Sequence, residues 1–431
     1  MKRQVQAPTG HAPSTASRRP CPNRRGLALA AAAAGAVCGL MPVTGSLASG
    51  PPITGQVMAK YVFSPNYATD TTIWALTLDN VSTTPCDGND VQPAPPCHNL
   101  YESTDGGTTW SWVPGPSGQD MTDVVLPSAY PSDPNVFVDA FDPTTDTGDV
   151  YRSSDGGSTW HAATWQSIGA GDDPTMSGVM SAQPGQPAGH DHIVLSRSQG
   201  TGFETYDEAT GDITLGPTMP PGFVAFGSPV WADANTFFVM AYTPQEYAES
   251  LVGGVTSGSV VTVASPSPTP SEVVKCTLTS CTHVATVTQG GTGLAVSPDY
   301  GTDHTFAVWG STGATSPTFA ITQDGGSSFS TVSISGEPSG TAIAALTFMS
   351  DGNSGPRVAV STAGFSNGFV SWVSDVDFSG GSYTVTSYDT SSFHTLQPLE
   401  AAPNDNLWAG ALSGPGPECS SNGGSTWGVH C

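Results

Sequence analysis

The sequence predicts an all-β protein, a seven-bladed β-propeller of four-stranded antiparallel blades, and three observations carry the prediction. The first is an eight-residue turn, Ser103-Thr104-Asp105-Gly106-Gly107-Thr108-Thr109-Trp110, which returns as Ser153-Ser154-Asp155-Gly156-Gly157-Ser158-Thr159-Trp160. Looser copies run from Thr322 through Asp324, Gly325 and Gly326 to Phe329, and from Ser420 through Asn422, Gly423 and Gly424 to Trp427. The second is a hairpin mark, Phe63-Ser64-Pro65-Asn66-Tyr67 onward to Trp74, matched by Val296-Ser297-Pro298-Asp299-Tyr300 onward to Phe306. The third is composition: 51 Gly and 37 Pro, with no long stretch of helical period. Repeats at this spacing have to be solved as architecture before any residue is assigned a function.

From the N-terminus, residues 1–48 read as an export signal. They hold Lys2, Arg3, Arg18, Arg19, Arg24 and Arg25 and no acid, then an apolar run from Gly26 to Leu40 and the small-x-small triplet Ser46-Leu47-Ala48. Arg24-Arg25-Gly26-Leu27 also fits a twin-arginine signal. Residues 49–431 then form one propeller domain. Besides the two clear hairpin marks, turns fall at Asp133, Asp191, Asp233, Asp351 and Asp405, each followed by a strand such as Val136-Phe137-Val138 or Leu407-Trp408-Ala409. Seven hairpins give roughly 55 residues each, enough for four short strands, and radial repetition of such units is a propeller. The eight-residue turn falls in the second hairpin of units one, two, five and seven. Unit three has Tyr206 to Ile213 there, and unit six has Trp372 to Tyr383. Unit four has Cys276 to Cys281, where a disulfide can clamp the hairpin.

The turn resembles the Asp-box, or BNR repeat, of sialidases, sortilin-like ectodomains and xyloglucan-degrading glycosidases. The resemblance implies a propeller blade, with structural positions Ser103, Asp105, Gly107, Trp110, Ser153, Asp155, Gly157, Trp160, Asp324, Gly326, Phe329, Asn422, Gly424 and Trp427. Local physics agrees. Asp105 can accept hydrogen bonds from its own turn, Ser103 can add another, the glycines permit positive φ, and Trp110 can pack between blades. A catalytic role for Asp105, Asp155 or Asp324 is therefore not expected.

Charge narrows the partners. With five cationic side chains against 36 acidic ones after the signal, the mature chain carries about −31. Nucleic acid and anionic lipid are excluded as partners, because phosphate binding needs clustered Lys and Arg. Beyond the export signal, no other stretch is apolar for the roughly 18 residues a membrane helix needs, so no insertion is expected. Six cysteines remain in local pairs, Cys86 with Cys97, Cys276 with Cys281 and Cys419 with Cys431. In an exported chain these predict three disulfides, and the absence of a Cys-x-x-Cys pair argues against zinc.

Function is expected on the face opposite the recurring turns, where loops are longest. One runs from Leu76 to Asn99. Another, from Tyr242 to Val273, offers Tyr242, Glu246, Tyr247 and Glu249 as ligand-binding candidates. A sialidase site, by resemblance, needs three arginines at inner-strand positions. Arg152, Arg197 and Arg357 instead fall on second and third strands, and the Arg-Ile-Pro-type signature is absent. Two-carboxylate glycoside hydrolysis could draw on Asp120, Asp123, Asp172, Asp173, Glu337, Asp389 or Glu400, with Asp172 and Asp173 as first candidates. No cofactor is expected. Ca²⁺ at the acidic loop Asp142 to Asp149 is the one metal option, with a solvated loop favoured over it. His190-Asp191-His192 aligns with Asp303-His304 and reads as a hairpin turn. The seven-bladed photosystem assembly factors share this repeat, but the arginine-rich patch of that family cannot form here. The expectation is a secreted, monomeric, non-catalytic binding or scaffold protein for an extracellular glycan or protein. An extracellular glycosidase and a structural envelope protein are the alternatives.

Overall fold

Blade formation follows from runs that are apolar on both faces. Ile73-Trp74-Ala75-Leu76, Val136-Phe137-Val138, the segment Phe237 to Ala241, Val358-Ala359-Val360 and Leu407-Trp408-Ala409 are all buried to within 2% exposure. Middle strands of a blade lie between neighbouring blades, so both of their faces are covered and strict alternation is lost. A computed structural model describes residues 53, 57–78, 98–117, 119–142, 147–165, 180–196, 201–243, 271–287, 291, 293–310, 316–337, 340–349, 355–365, 369–378, 382–390, 396–411 and 417–428. The export segment lies outside these residues, as do Cys86, Cys97 and Cys431.

Seven antiparallel sheets follow one another along the chain, as expected. Their first strands are Val57–Phe63, Asp120–Val125, Met180–Ala182, Val224–Asp233, Gly293–Val296, Thr341–Met349 and Leu396–Ala401. Each first strand touches the first strand of the next blade, and the seventh touches the first, closing a ring.

Two sheets depart from four strands. Blade three gains a fifth, Thr164–Trp165, which runs parallel to its outer strand Asp212–Thr218. Among the described residues blade seven has three strands, and at its outer edge a single bridge joins Cys419 and Gly428. Val57 and Met58 begin the inner strand of blade one, while Ile53 is buried at the seam beside Ala402, Trp408 and Cys419. Closure is by side chains. Trp408 of blade seven sits against the rings of Tyr61, Phe63 and Trp110 of blade one, and Tyr61 donates to Ala409 O at 3.1 Å.

The two recurring marks share one face, as their chain order requires. Gly106 N donates to Thr71 O and Gly325 N to His304 O, tying each eight-residue turn to the hairpin of its own blade. Each clear hairpin mark folds as one helical turn, Tyr67–Asp70 and Tyr300–Asp303, ended by Thr71 and His304 at positive φ. Blade three differs. Gln183 N donates to His192 O, the bond that Ser64 N makes to Thr72 O, so Asp191 stands where His304 stands. The alignment of Asp191-His192 with Asp303-His304 is therefore off by one residue. The reason is that the 183–191 turn contains no helical turn to keep the register.

In each eight-residue turn the hydroxyl and the carboxylate act together. Ser103 Oγ donates to Asp105 Oδ1 at 2.9 Å and accepts from Gly107 N at 2.8 Å. Thr109 N reaches Asp105 Oδ1 at 2.8 Å and Thr109 Oγ1 reaches Oδ2 at 2.6 Å. The same set recurs at Asp155 and Asp324. At Asn422 the amide instead donates, from Nδ2 to Thr426 Oγ1. Hydrogen bonds from Ser328 and Thr322 hold the Asp324 carboxyl down at about 2, and bonds from Thr159 likewise lower Asp155. Blade four has a Cys276–Cys281 disulfide across its second hairpin, joining residues directly paired in register.

Candidate functional site

The ring of first strands encloses a central cavity of about 650 Å³. Six of the seven blades line it, with Lys60, Met180, Val230, Trp309, Leu346 and Glu400 among the lining residues. Pro298 and Pro403, in the hairpin turns of blades five and seven, mark its mouth on the turn face. The wall is mainly aliphatic and aromatic, with charge confined to one side.

That side is built by a shared irregularity. The first strands of blades one, two, four, six and seven each carry a register shift against their second strands. A bulge adds one residue and re-aims the side chain that follows. In blade one the extra residue is Ala59 and the next is Lys60. In blade two it is Thr122, and the next is Asp123. Met58-Ala59-Lys60 and Met121-Thr122-Asp123 are therefore equivalent segments on neighbouring blades, and their last residues meet. Lys60 Nζ lies 2.6 Å from Asp123 Oδ1. Asp123 also accepts Val124 N at 2.8 Å and Met180 N at 2.6 Å, so one carboxylate joins three blades.

Glu400 is the acidic group that lines the channel itself. Burial pushes its carboxyl up to about 7, and the charge of Lys60 pulls it back only in part. Glu418, buried near the seam between blades seven and one, is likewise raised to about 7 by burial. A carboxyl raised in the folded state holds its proton where the unfolded chain has lost it. Such a group therefore costs stability progressively as pH rises from about 4.5 through about 7. The melting temperature is expected to fall by several degrees between pH 5 and pH 8. Glu400→Gln should flatten part of that slope in thermal scans across the same range.

Of the expected ligand-binding residues, Tyr242 ends the second strand of blade four, half-buried, its ring 5.2 Å from Phe226. Glu246, Tyr247 and Glu249 lie outside the described residues, as do Asp172 and Asp173. Glu337, another acid considered from sequence, is tied to Thr341, Thr362 and Ser374 in the connection between blades five and six. Arg357 pairs with Asp375, the charge of Arg152 acts on Tyr206, and neither arginine lines the channel. Arg197 lies outside the described residues. Lys60 was not singled out from sequence, and Asp123 and Glu400 were only two acids among seven. The repeated Met-x-charged spacing on adjacent first strands was the available signal.

No protein-family model matches the chain, and no curated protein matches it in sequence. Solved structures do match. An ancestral GH74 enzyme aligns at 12% identity and a TM-score of 0.53, over 88% of this chain and 47% of that chain. This chain thus spans about half the length of that enzyme. YCF48 from Cyanidioschyzon merolae aligns at 12% identity and a TM-score of 0.51, over 85% of this chain and 96% of that one. YCF48 bound to a D1 peptide aligns at 11% and 0.50, over 85% and 93%. The shared feature is the β-propeller. At such identities the likeness shows the fold alone, and a fold that hosts both a glycoside hydrolase and a peptide-bound protein does not choose between them. Among the described residues, no helix is long and apolar enough to cross a membrane.

Proposed function

We propose that the chain is an exported, non-catalytic binding or scaffold protein that seats an extracellular glycan or protein segment in its central channel. The observation that carries this reading is the channel itself. About 650 Å³ of space is walled by Leu294, Val296, Trp309, Leu346 and Phe348, with Ser181, Ser228 and Thr347 as neutral polar groups and Lys60 and Glu400 as the charged ones. Ligand sites are typically mostly apolar concavities with a few fixed polar groups, and this one has that balance. A propeller of similar fold is bound to a peptide in YCF48, which supports a protein segment as one occupant. Glycans would use Trp309 as a stacking surface. The long segments 79–97 and 244–270, which connect second to third strands in blades one and four, are assigned to ligand selection.

A glycan array and a peptide library, probed in parallel with the wild type and with a variant shortened in both segments, test the reading. Stable binding by the wild type that weakens in the shortened variant supports it. Silence on both platforms rejects it.

One observation favours a second reading, an extracellular glycosidase. The Glu400 carboxyl, which lines the channel, is pushed up to about 7, and Lys60 of the same lining pairs with the Asp123 carboxylate; glycoside hydrolysis needs an acid of raised pKa near a second carboxylate. A chromogenic glycoside panel decides. Turnover that disappears in Glu400→Gln would establish the enzyme, and none in the wild type removes it.

A further inference from the structure

Away from the channel, on the turn face, three acidic side chains converge between blades two and three. Asp133 comes from the hairpin turn of blade two, Asp191 from that of blade three, and Glu208 from the second hairpin of blade three. They are 3%, 0% and 5% exposed. One carboxylate oxygen from each lies within 4.8 Å of the others.

Blade three brings them together because its second hairpin departs from the recurring turn. Glu208 N donates to Asp191 O at 3.0 Å, the bond that Gly106 N makes to Thr71 O in blade one. Where the other blade places a glycine, blade three places a carboxylate. The shifted register of the 183–191 turn then puts Asp191 directly beneath it.

The local donors do not satisfy this cluster. Asp133 accepts Asn135 N at 3.2 Å and Gly189 N at 2.6 Å. Glu208 accepts Asn135 Nδ2 at 2.6 Å and Asp191 N at 3.2 Å. Asp191 Oδ2 accepts Ser128 N at 3.1 Å, but Asp191 Oδ1 is buried with no donor at all. Among the described residues no Lys, Arg or His forms an ion pair with any of the three. A buried carboxylate oxygen without a partner is costly, and three carboxylates in one place compound the cost by repulsion. Burial, with the charge of Asp133 adding to it, pushes Asp191 up to about 6 and Glu208 up to about 7.

The missing partner has a recognisable chemistry. Oxygens bound to one ion at about 2.4 Å lie no more than about 4.8 Å apart, the diameter of a Ca²⁺ coordination sphere. The donors are all carboxylate oxygens, which suit a hard cation, and the cluster includes no sulfur or imidazole to favour zinc or copper. We propose that Asp133, Asp191 and Glu208 form a Ca²⁺-binding site that pins blade two to blade three. Asp191 Oδ1 is the oxygen with no competing donor. Asp133 and Glu208 each contribute an oxygen with a lone pair left over, and water completes the shell. The site is structural and independent of the channel.

The test uses the full chain stripped with chelator at pH 7.5. Equilibrium dialysis against Ca²⁺ should show one saturable ion per chain, and 1 mM Ca²⁺ should raise the melting temperature by roughly 2–5 °C. Asp191→Asn and Glu208→Gln keep side-chain shape while removing charge. Each should weaken binding at least tenfold and abolish the thermal shift, with far-UV circular dichroism confirming the fold. Two results overturn the proposal. One is no saturable ion on the wild type. The other is binding and thermal shift that persist in a folded variant, which would place the ion elsewhere on the acidic surface. Should both variants fail to fold, wild-type stoichiometry decides: one ion sustains the site and none removes it.

Discussion

Trp408→Ala is expected to lower the free energy of unfolding by about 3–5 kcal/mol, the cost of emptying a fully buried aromatic site. Trp408 has no exposed surface and lies where the ring closes, with ring centroids of Tyr61, Phe63 and Trp110 between 6.0 and 6.4 Å away. Among the described residues no strand is shared between blades seven and one, and packing of this kind spans the seam. The second strands of blades one, two, four and five also contribute buried aromatics, Trp74, Phe137, Phe237 with Phe238, and Phe306, but there the chain continues directly into the neighbour. Urea titration followed by tryptophan fluorescence measures the change. A loss below about 1 kcal/mol would mean that the seam relaxes around the cavity and closure lies elsewhere.

Gly157→Ala carries the second large effect, and Gly156→Ala is its internal control. Both glycines have positive φ, +67° and +83°, so both substitutions meet the same backbone strain of about 1–2 kcal/mol. They differ in space. A Cβ on Gly156 meets nothing within 4 Å, whereas one on Gly157 would stand 2.0 Å from Val113 Cγ1 of blade one. Overpacking of that severity adds about 1–3 kcal/mol, so Gly157→Ala should cost about 1–3 kcal/mol more than Gly156→Ala. Denaturant midpoints of the two variants give the comparison, and equal costs would show that the blade interface yields freely. The same close approach recurs at Gly107 against Trp408, Gly326 against Val284 and Gly424 against Val373. The second glycine of the turn is thus the point where one blade abuts the preceding one.

Much of the fold was legible because its signals are local and repeated. The Ser103 to Trp110 turn closes its hydrogen bonds within eight residues, and its copies fix the blade period. The apolar runs around Trp74, Phe137, Phe237 and Trp408 mark middle strands covered on both faces. What could not be read depends on register or on distance along the chain. A bulge at Ala59 or Thr122 leaves no trace in composition, yet it aims Lys60 and Asp123 at one another across 63 residues. The turn at 183–191 looks like its counterparts in sequence but lacks their helical turn, so Asp191 was placed one residue away from its true position. Glu208 carries no mark of its own in the sequence. Only the third blade's departure from the repeat, seen together with Asp133 of the second, brings three carboxylates to one point.

The channel is where binding is assigned, and obstructing it is the most direct test. Ala345 lines the cavity from the bulged first strand of blade six. Ala345→Phe adds a ring to that space and removes no hydrogen bond. The measurement is the affinity of the wild type and of this variant for the best ligand found on the glycan array or peptide library, with thermal melting confirming that both are folded. Binding by the wild type that falls at least tenfold in Ala345→Phe, with the melting temperature held within a few degrees, is the predicted result. Equal affinity in the two proteins would contradict a ligand seated in the channel.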